Sequence, residues 1–256
     1  MRSVGAIEAP PRSGVALDGV TRILGGKRAL DALELDVPLH GRVGIVGRSG
    51  AGKSTLLSLV AGLDEPDAGI VSVAGAMAPA ARLARCALMP QRDCLLPWRT
   101  ALDNACLALE NQGLSRPEAR RRAAPLFARF GLEGAERLRP ARLSGGMRQR
   151  VAFLRTLLAG KEVLLLDEPF GALDAITRAE LQEWLADALA DEPRTVLLVT
   201  HDVEEALLLC DRIVVLAGGR MAEQLDVDVS RDGPRREVVT SADFVELREQ
   251  ALEALG

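Results

Sequence analysis

Four short apolar runs mark the chain: Val43 to Val46, Val163 to Leu166, Val196 to Val199 and Ile213 to Leu216. Each is too short for a core helix and lacks the alternating polarity of a half-exposed strand, so each is predicted as a strand buried on both faces. Helical stretches separate them. That alternation predicts an α/β fold with a mainly parallel sheet, in which ligands gather beyond the carboxyl ends of the strands.

Elsewhere the pattern changes. From Val15 to Val37 apolar and polar residues alternate around a Gly25-Gly26 turn signal, which predicts a small antiparallel hairpin beside the main sheet. Between roughly Leu95 and Gly160 the strand signal fades. There Ser115-Arg116-Pro117-Glu118 reads as a capping box that opens a polar helix reaching about Phe130, so a helical lobe (about 95–160) is inserted in the core. The segment 221–256 mixes charges with Pro234 and ends in a helical stripe of Phe244, Leu247, Ala251 and Leu255. Residues 1–14 hold Pro10 and Pro11 and no apolar core of a signal peptide, so a loose tail and an intracellular protein are expected. No run of about 18 apolar residues exists to span a bilayer, so any pore would be formed by other chains.

Composition narrows the reading further. With 256 residues and 48% hydrophobic content, one domain with an inserted lobe is expected. The 32 basic and 36 acidic residues leave a net charge of -4, which offers no global attraction for nucleic acid. Arg116, Arg120, Arg121 and Arg122 form the one basic cluster, expected as a solvated helix face. Cys86, Cys94, Cys106 and Cys210 have no paired spacing, so neither a zinc cage nor a disulfide framework is implied.

Three segments carry chemistry. Gly47-Arg48-Ser49-Gly50-Ala51-Gly52-Lys53-Ser54-Thr55 follows the first buried strand and opens a helix striped by Leu56, Leu59, Val60 and Leu63, the context of a P-loop. Its glycines let backbone N–H groups wrap phosphate oxygens, Lys53 reaches the β/γ-phosphates, and Ser54 ligates Mg²⁺. The strand Val163 to Leu166 ends in Asp167 and Glu168 at the sheet edge where the P-loop sits. Asp167 is expected to hold Mg²⁺, and Glu168 to polarise the water that attacks the γ-phosphate. Finally, Leu143-Ser144-Gly145-Gly146-Met147-Arg148-Gln149-Arg150 precedes the stripe Met147, Val151, Leu154 and Leu158, which places Ser144 and two glycines at a helix N-terminus able to bind an anion.

A P-loop, then Leu-Ser-Gly-Gly, then a strand ending in Asp-Glu resembles the ABC transporter ATPases, over about Val15 to Arg220. The resemblance implies a RecA-like P-loop NTPase core with a small antiparallel β subdomain and an inserted helical subdomain. It assigns Gln91 to a Q-loop that also reaches Mg²⁺, Gly171-Ala172-Leu173-Asp174 to a D-loop, and His201 to the switch histidine. It implies a head-to-tail homodimer in which ATP lies between Lys53 and His201 of one chain and the signature residues Leu143, Ser144, Gly145, Gly146 and Gln149 of the other. Where the family stacks adenine on an aromatic ring this chain has Leu24, and loss of that ring forfeits about 1 kcal/mol.

Leu95-Leu96-Pro97-Trp98, Asp103-Asn104 and Phe170 to Ala175 are similar to importers of nitrate, sulfonates and taurine, and also to thiamine-precursor pyrimidine importers. This resemblance implies permease subunits touched by the segment after Gln91, with Trp98 as an anchor. It also implies an extracytoplasmic solute-binding protein reached indirectly, and residence at the cytoplasmic face of the membrane. A DNA-repair or chromosome-organising ATPase is the alternative. That class separates the two half-sites by a long coiled coil, whereas about ninety residues without sustained heptads intervene here.

Overall fold

The computed structural model describes residues 13–171, 173–191, 194–231 and 233–256. Met1 to Arg12 of the expected tail and Ala172 of the expected D-loop lie outside them.

Two sheets organise the chain. Strands β1 (Ser13–Leu24), β2 (Lys27–Pro38) and β4 (Ala68–Val73) form an antiparallel sheet in the order β2-β1-β4. The predicted hairpin therefore gains a third strand. Sequence patterning missed β4 because its first three residues are exposed and only Val71 and Val73 point inward. The second sheet has the order β5-β6-β7-β3-β8-β9, from β3 (Arg42–Val46), β5 (Cys86–Met89), β6 (Val163–Asp167), β7 (Thr195–Thr200), β8 (Arg212–Ala217) and β9 (Arg220–Asp226). All of these strands pair in parallel except β9, which closes the edge antiparallel to β8.

The unbroken apolar runs are explained by what covers each face. Val43, Ile45, Val163, Leu165, Leu197, Val199, Val214 and Leu216 share a core with the small sheet and with helix α1 (Lys53–Val60). The alternate residues Leu164, Leu166, Val196 and Leu198 face the opposite way into a core built with α6 (Gly145–Leu158) and α7 (Ala175–Asp191). A Leu or Val removed from water in this way contributes about 1.5–3 kcal/mol, which outweighs the missing polar face.

The lobe between β5 and β6 is helical, with α3 (Ala101–Ala105), α4 (Leu107–Asn111), α5 (Arg116–Arg129) and α6, after a short α2 (Pro79–Arg85). The predicted capping box does not form. Ser115 has the extended backbone of an N-cap but its hydroxyl makes no capping bond, and Glu118 pairs with Arg121 at 2.9 Å. Nor is the arginine cluster only a solvated face. Arg116 and Arg120 both grip Asp103, which is 2% exposed, while Arg121 and Arg122 remain outside. The C-terminal segment forms α9 (Arg235–Val239) and α10 (Ala242–Leu255). Phe244 and Ala251 are fully buried against α8 (Val203–Leu209) and β8, so the predicted stripe packs on the main sheet. All four cysteines are free thiols.

Candidate functional site

Four parallel strands end at one edge of the main sheet, and each is followed by a predicted site segment. The register shows how level these ends are: Met89 pairs with Leu166, Asp167 with Val199, and Val46 with Thr200. Gln91 therefore follows β5, Asp167 and Glu168 end β6, His201 follows β7, and Gly47 to Thr55 follow β3. Ser54 and Asp167, 113 positions apart in sequence, meet because strand ends meet.

The loop after β3 turns into α1 through Gly50 and Gly52, both with positive φ. Gly52 adopts φ 104°, and a Cβ there would lie 2.3 Å from the Ala29 carbonyl of β2, so only glycine fits. Lys53 is buried and its Nζ donates to the carbonyls of Gly47 at 2.6 Å and Arg48 at 3.1 Å. The ammonium is thus held over the loop it belongs to. Arg48, Ser49, Gly50 and Ser54 are exposed, Ala51 is buried, and Gly52 and Thr55 are half-buried.

Ser54 Oγ donates to Asp167 Oδ2 at 3.2 Å, joining α1 to β6. Burial pushes the Asp167 carboxyl above its ordinary range; the Ser54 bond and Lys53 oppose the shift, and Glu168 adds to it. A hydroxyl and a carboxylate side by side, with a second carboxylate next in sequence, make a hard oxygen donor set with surplus negative charge, which suits Mg²⁺. Among the described residues no group of three or more His, Cys, Asp or Glu could hold a metal ion, so further ligands to such a cation would be phosphate oxygens and water.

Glu168 is a non-glycine residue at φ 44°, a conformation that costs about 1–3 kcal/mol and is sustained by its own N–H donating to Val199 O at 2.8 Å. The kink turns the side chain away from the strand axis. Gln91 Nε2 donates to Glu168 Oε2 at 3.0 Å, and His201 Nδ1 lies 3.4 Å from the same oxygen. Gln91 is therefore placed on Glu168 and not on the Ser54–Asp167 pair. Leu24, 45% exposed, stands at the end of β1 opposite Lys27.

Leu143 to Gly146 lie elsewhere on the chain. Ser144 is the N-cap of α6, accepting from Met147 N at 3.2 Å, and Ser144 and Gly145 face outward. Gln149, expected beside them as a contact to the second chain, is buried instead and donates to Pro169 O. Its amide is engaged within its own chain, tying α6 to the residues after Glu168. Asp174 caps α7, accepting from Thr177 N at 3.1 Å and Thr177 Oγ1 at 2.7 Å.

Several connecting residues have no signal in the sequence pattern. Arg148 of α6 bonds Asp93 at 3.0 Å, and Arg155 donates to the carbonyls of Cys94 and Asp93, so the stretch after Gln91 is bolted to the signature helix. A cavity of about 420 Å³ lies between that stretch and α6, lined by Gln91, Arg92, Asp93, Gly145 and Arg148 among others. Beyond it, Asn104 is fully buried and accepts from Leu96 N at 2.7 Å while donating to Leu96 O at 3.1 Å and Thr100 O at 3.0 Å. This clamp holds the turn that carries Trp98, whose ring is 68% exposed and so is not packed within its own lobe.

The family model for ABC transporters matches residues 30–171, more than half of the chain. The aliphatic sulfonates import ATP-binding protein SsuB 1 of Rhodococcus jostii is 44% identical over 94% of each chain. The formylaminopyrimidine import ATP-binding protein ThiZ of Halalkalibacterium halodurans is 47% identical over 76% of this chain and 75% of its own. A solved ATP-binding cassette, a dimer in a post-hydrolysis state bound to ADP and Pi, superimposes with a TM-score of 0.75 at 30% identity, covering 83% of this chain and 98% of its own. The cassette cbiO1 of Clostridium perfringens shares the fold, with a TM-score of 0.78 at 22% identity over 92% of this chain and 93% of its own. A phosphate loop, an acidic strand end and a helix cap that exposes Ser144 and Gly145 lie on a chain that an import cassette matches over 94% of its length, and the chain belongs to the ABC transporter family.

Proposed function

We propose that this chain is the ATP-hydrolysing, energy-coupling subunit of an importer for a small solute, and that it acts as a homodimer on the cytoplasmic face of the membrane. The convergence of Gln91 and His201 on Glu168, at the edge that carries Lys53, is the observation that carries this reading. In it, Lys53 exchanges its loop carbonyls for the β/γ-phosphates of ATP, and the loop N–H groups wrap the phosphate oxygens. Ser54 and Asp167 would hold Mg²⁺, which when bound neutralises charge on the phosphates. Glu168 accepts the proton of the attacking water, and Gln91 and His201 orient its carboxylate. Leu24 gives the base an aliphatic contact.

Ser144, Gly145 and Gly146 would meet the γ-phosphate held by the second subunit, so each site is completed by the partner chain. Trp98 would dock on a permease subunit. The Arg148 and Arg155 links to residues 93 and 94 support this, since they join the Trp98 side of the lobe to the Ser144 helix. The solute is an aliphatic sulfonate or a thiamine-precursor pyrimidine, following the names of the relatives, or taurine or a nitrate-like anion, following the sequence resemblance; a solute-binding protein outside the cell would deliver it to the permease. A role on DNA has no support in the net charge of -4 or in the short segment between the half-sites.

Glu168→Gln tests the reading. It keeps the shape and the phosphate contacts while removing the base, so turnover should fall by about 10²–10⁴-fold with ATP-dependent dimers retained. Steady-state hydrolysis with size-exclusion chromatography in ATP reads both, and undiminished turnover would refute the role of Glu168.

A further inference from the structure

Three buried polar atoms on α7 and α8 have no hydrogen-bond partner: Arg178 Nε and Gln182 Nε2, both donors, and Glu205 Oε1, an acceptor; of the two donors, Arg178 is the one whose charge acts on Glu205. Arg178 leaves the first turn of α7. Its Nη2 donates to the carbonyl of Leu173 at 3.1 Å, within the turn that precedes Asp174, and its Nη1 reaches Asp202 Oδ2 at 3.5 Å, the outer limit of a hydrogen bond. Asp202 follows His201 and is the N-cap of α8, accepting from Glu204 N at 3.0 Å and Glu205 N at 3.2 Å. Glu205 is 3% exposed and bonds Thr200, the residue before His201; the charges of Asp202, Arg178 and Glu168 all act on it. Thr200, Asp202 and Glu205 thus enclose the turn that carries His201, and Arg178 is the one link from that turn to residues 171–174 drawn by these bonds.

An orphaned donor and an orphaned acceptor each carry a desolvation cost that a mutual bond removes. The long Arg178–Asp202 contact leaves room for a second arrangement in which α8 moves against α7 and the pair closes. His201 Nδ1 stands 3.4 Å from Glu168, so such a movement acts directly on the geometry around the base. We propose that Arg178 is a positioning residue for ATP hydrolysis, which joins Leu173 to the His201 turn and sets His201 against Glu168 by forming a bond from its Nε to Glu205 Oε1. Neither residue touches nucleotide; both act through His201. The inference rests on the proposed function above.

Steady-state ATPase measurements on the full chain with Mg-ATP, using Arg178→Met, Glu205→Met, Glu205→Gln and the Arg178→Met/Glu205→Met double variant, test it. Each Met variant should lower kcat by about tenfold or more with KM for ATP within about twofold, because positioning is lost and ground-state binding is kept. Glu205→Gln keeps an acceptor oxygen and should stay within about threefold of the parent. The double variant should be no more than about threefold slower than the slower single, since both singles remove one bond. Equal turnover in Glu205→Met and Glu205→Gln would overturn the proposal, as would a double variant whose loss is the product of the two singles. Thermal melting identifies any variant that fails to fold. Arg178→Lys then serves in place of Arg178→Met: it keeps charge and packing but has no Nε, so it should lose kcat to the same degree, and full kcat would overturn the proposal. Failure of the functional reading looks different, because there the parent chain would not hydrolyse ATP or Glu168→Gln would be harmless.

Discussion

Asp103→Asn probes how the helical lobe is held. The Asp103 carboxylate lies under the surface with both arginines at its mouth: Arg116 approaches at 3.3 and 2.6 Å and Arg120 at 2.7 and 3.0 Å, giving four charge-assisted bonds to one side chain. The hydrogen bonds from Arg120 and Arg116 hold its carboxyl well below the usual range in spite of burial. Charged hydrogen bonds contribute about 1.5–3 kcal/mol each when fully desolvated, but here the arginines are 56% and 45% exposed, so water recovers much of the loss. An asparagine keeps the volume and one acceptor, and turns an NH₂ toward guanidinium donors. The expected net cost is about 2–3 kcal/mol. Urea unfolding followed by fluorescence reports on this region, because Trp184 packs edge-on against Phe130 at the end of α5 and Phe153 of α6. The sign of the pH dependence is set by the depressed pKa. The advantage of the aspartate should be complete above about pH 4 and shrink as pH falls further, toward its folded pKa. A difference below about 0.5 kcal/mol at pH 7 would refute the clamp, and so would a gap between the two chains that persists unchanged at pH 2.

Other perturbations separate the parts of the site. Gly52→Ala forces a Cβ to 2.3 Å from the Ala29 carbonyl at φ 104°, so nucleotide affinity read by equilibrium dialysis should fall at least about tenfold; unaltered binding would show that the loop relaxes freely. Trp98→Ala removes a ring already 68% exposed, so the melting temperature and the ATPase of the isolated subunit should hold while transport by the assembled complex drops; equal transport would remove Trp98 from the docking surface. Burial pushes the Glu205 carboxyl up to about 8, so the fold binds this proton more tightly than the unfolded chain does. Stability attributable to this group therefore falls as pH rises from about 4.5 toward about 8. Glu205→Gln should flatten that decline in urea titrations at pH 5, 6.5 and 8, and an identical slope in both chains would refute it.

The elements legible in the sequence are those whose burial is complete. β3, β6, β7 and β8 are apolar on both faces because helices and the small sheet cover both, and a run such as Val163 to Leu166 has no other reading. β4 and β9 escape notice for the opposite reason. β9 is exposed at five of its first six positions and survives as a strand because β8 supplies its ladder and Arg220 reaches Asp31 of β2 at 2.5 Å, a tertiary cause that no local pattern encodes. The predicted capping box shows the same limit. Ser115 and Glu118 have the right spacing, but Glu118 has a competing partner one turn away in Arg121, and the charge pair replaces the cap.

The site divides along a similar line. Lys53, Ser54, Asp167 and Glu168 stand out because they follow strands legible as apolar runs, Gln91 and His201 are assigned only by the resemblance, and a parallel sheet brings all of these strand ends together whatever their separation in sequence. Their supports do not stand out. Arg155 and Arg178 are single polar residues on helices, where the bland expectation is a solvated side chain, Asn104 and Arg148 fall in quoted segments that assign them no supporting role, and only the folded chain shows Asn104 fully buried or Arg155 gripping two carbonyls of the stretch after Gln91. The glycine-rich loop and the acidic strand end place groups where a phosphate could be cleaved. The arginines tie the stretch after Gln91 to α6, and Leu173 to the turn after β7. A chain with the first set intact and these arginines replaced by alanine should still bind ATP and should lose transport in the assembled complex; unchanged transport would refute a coupling role for them.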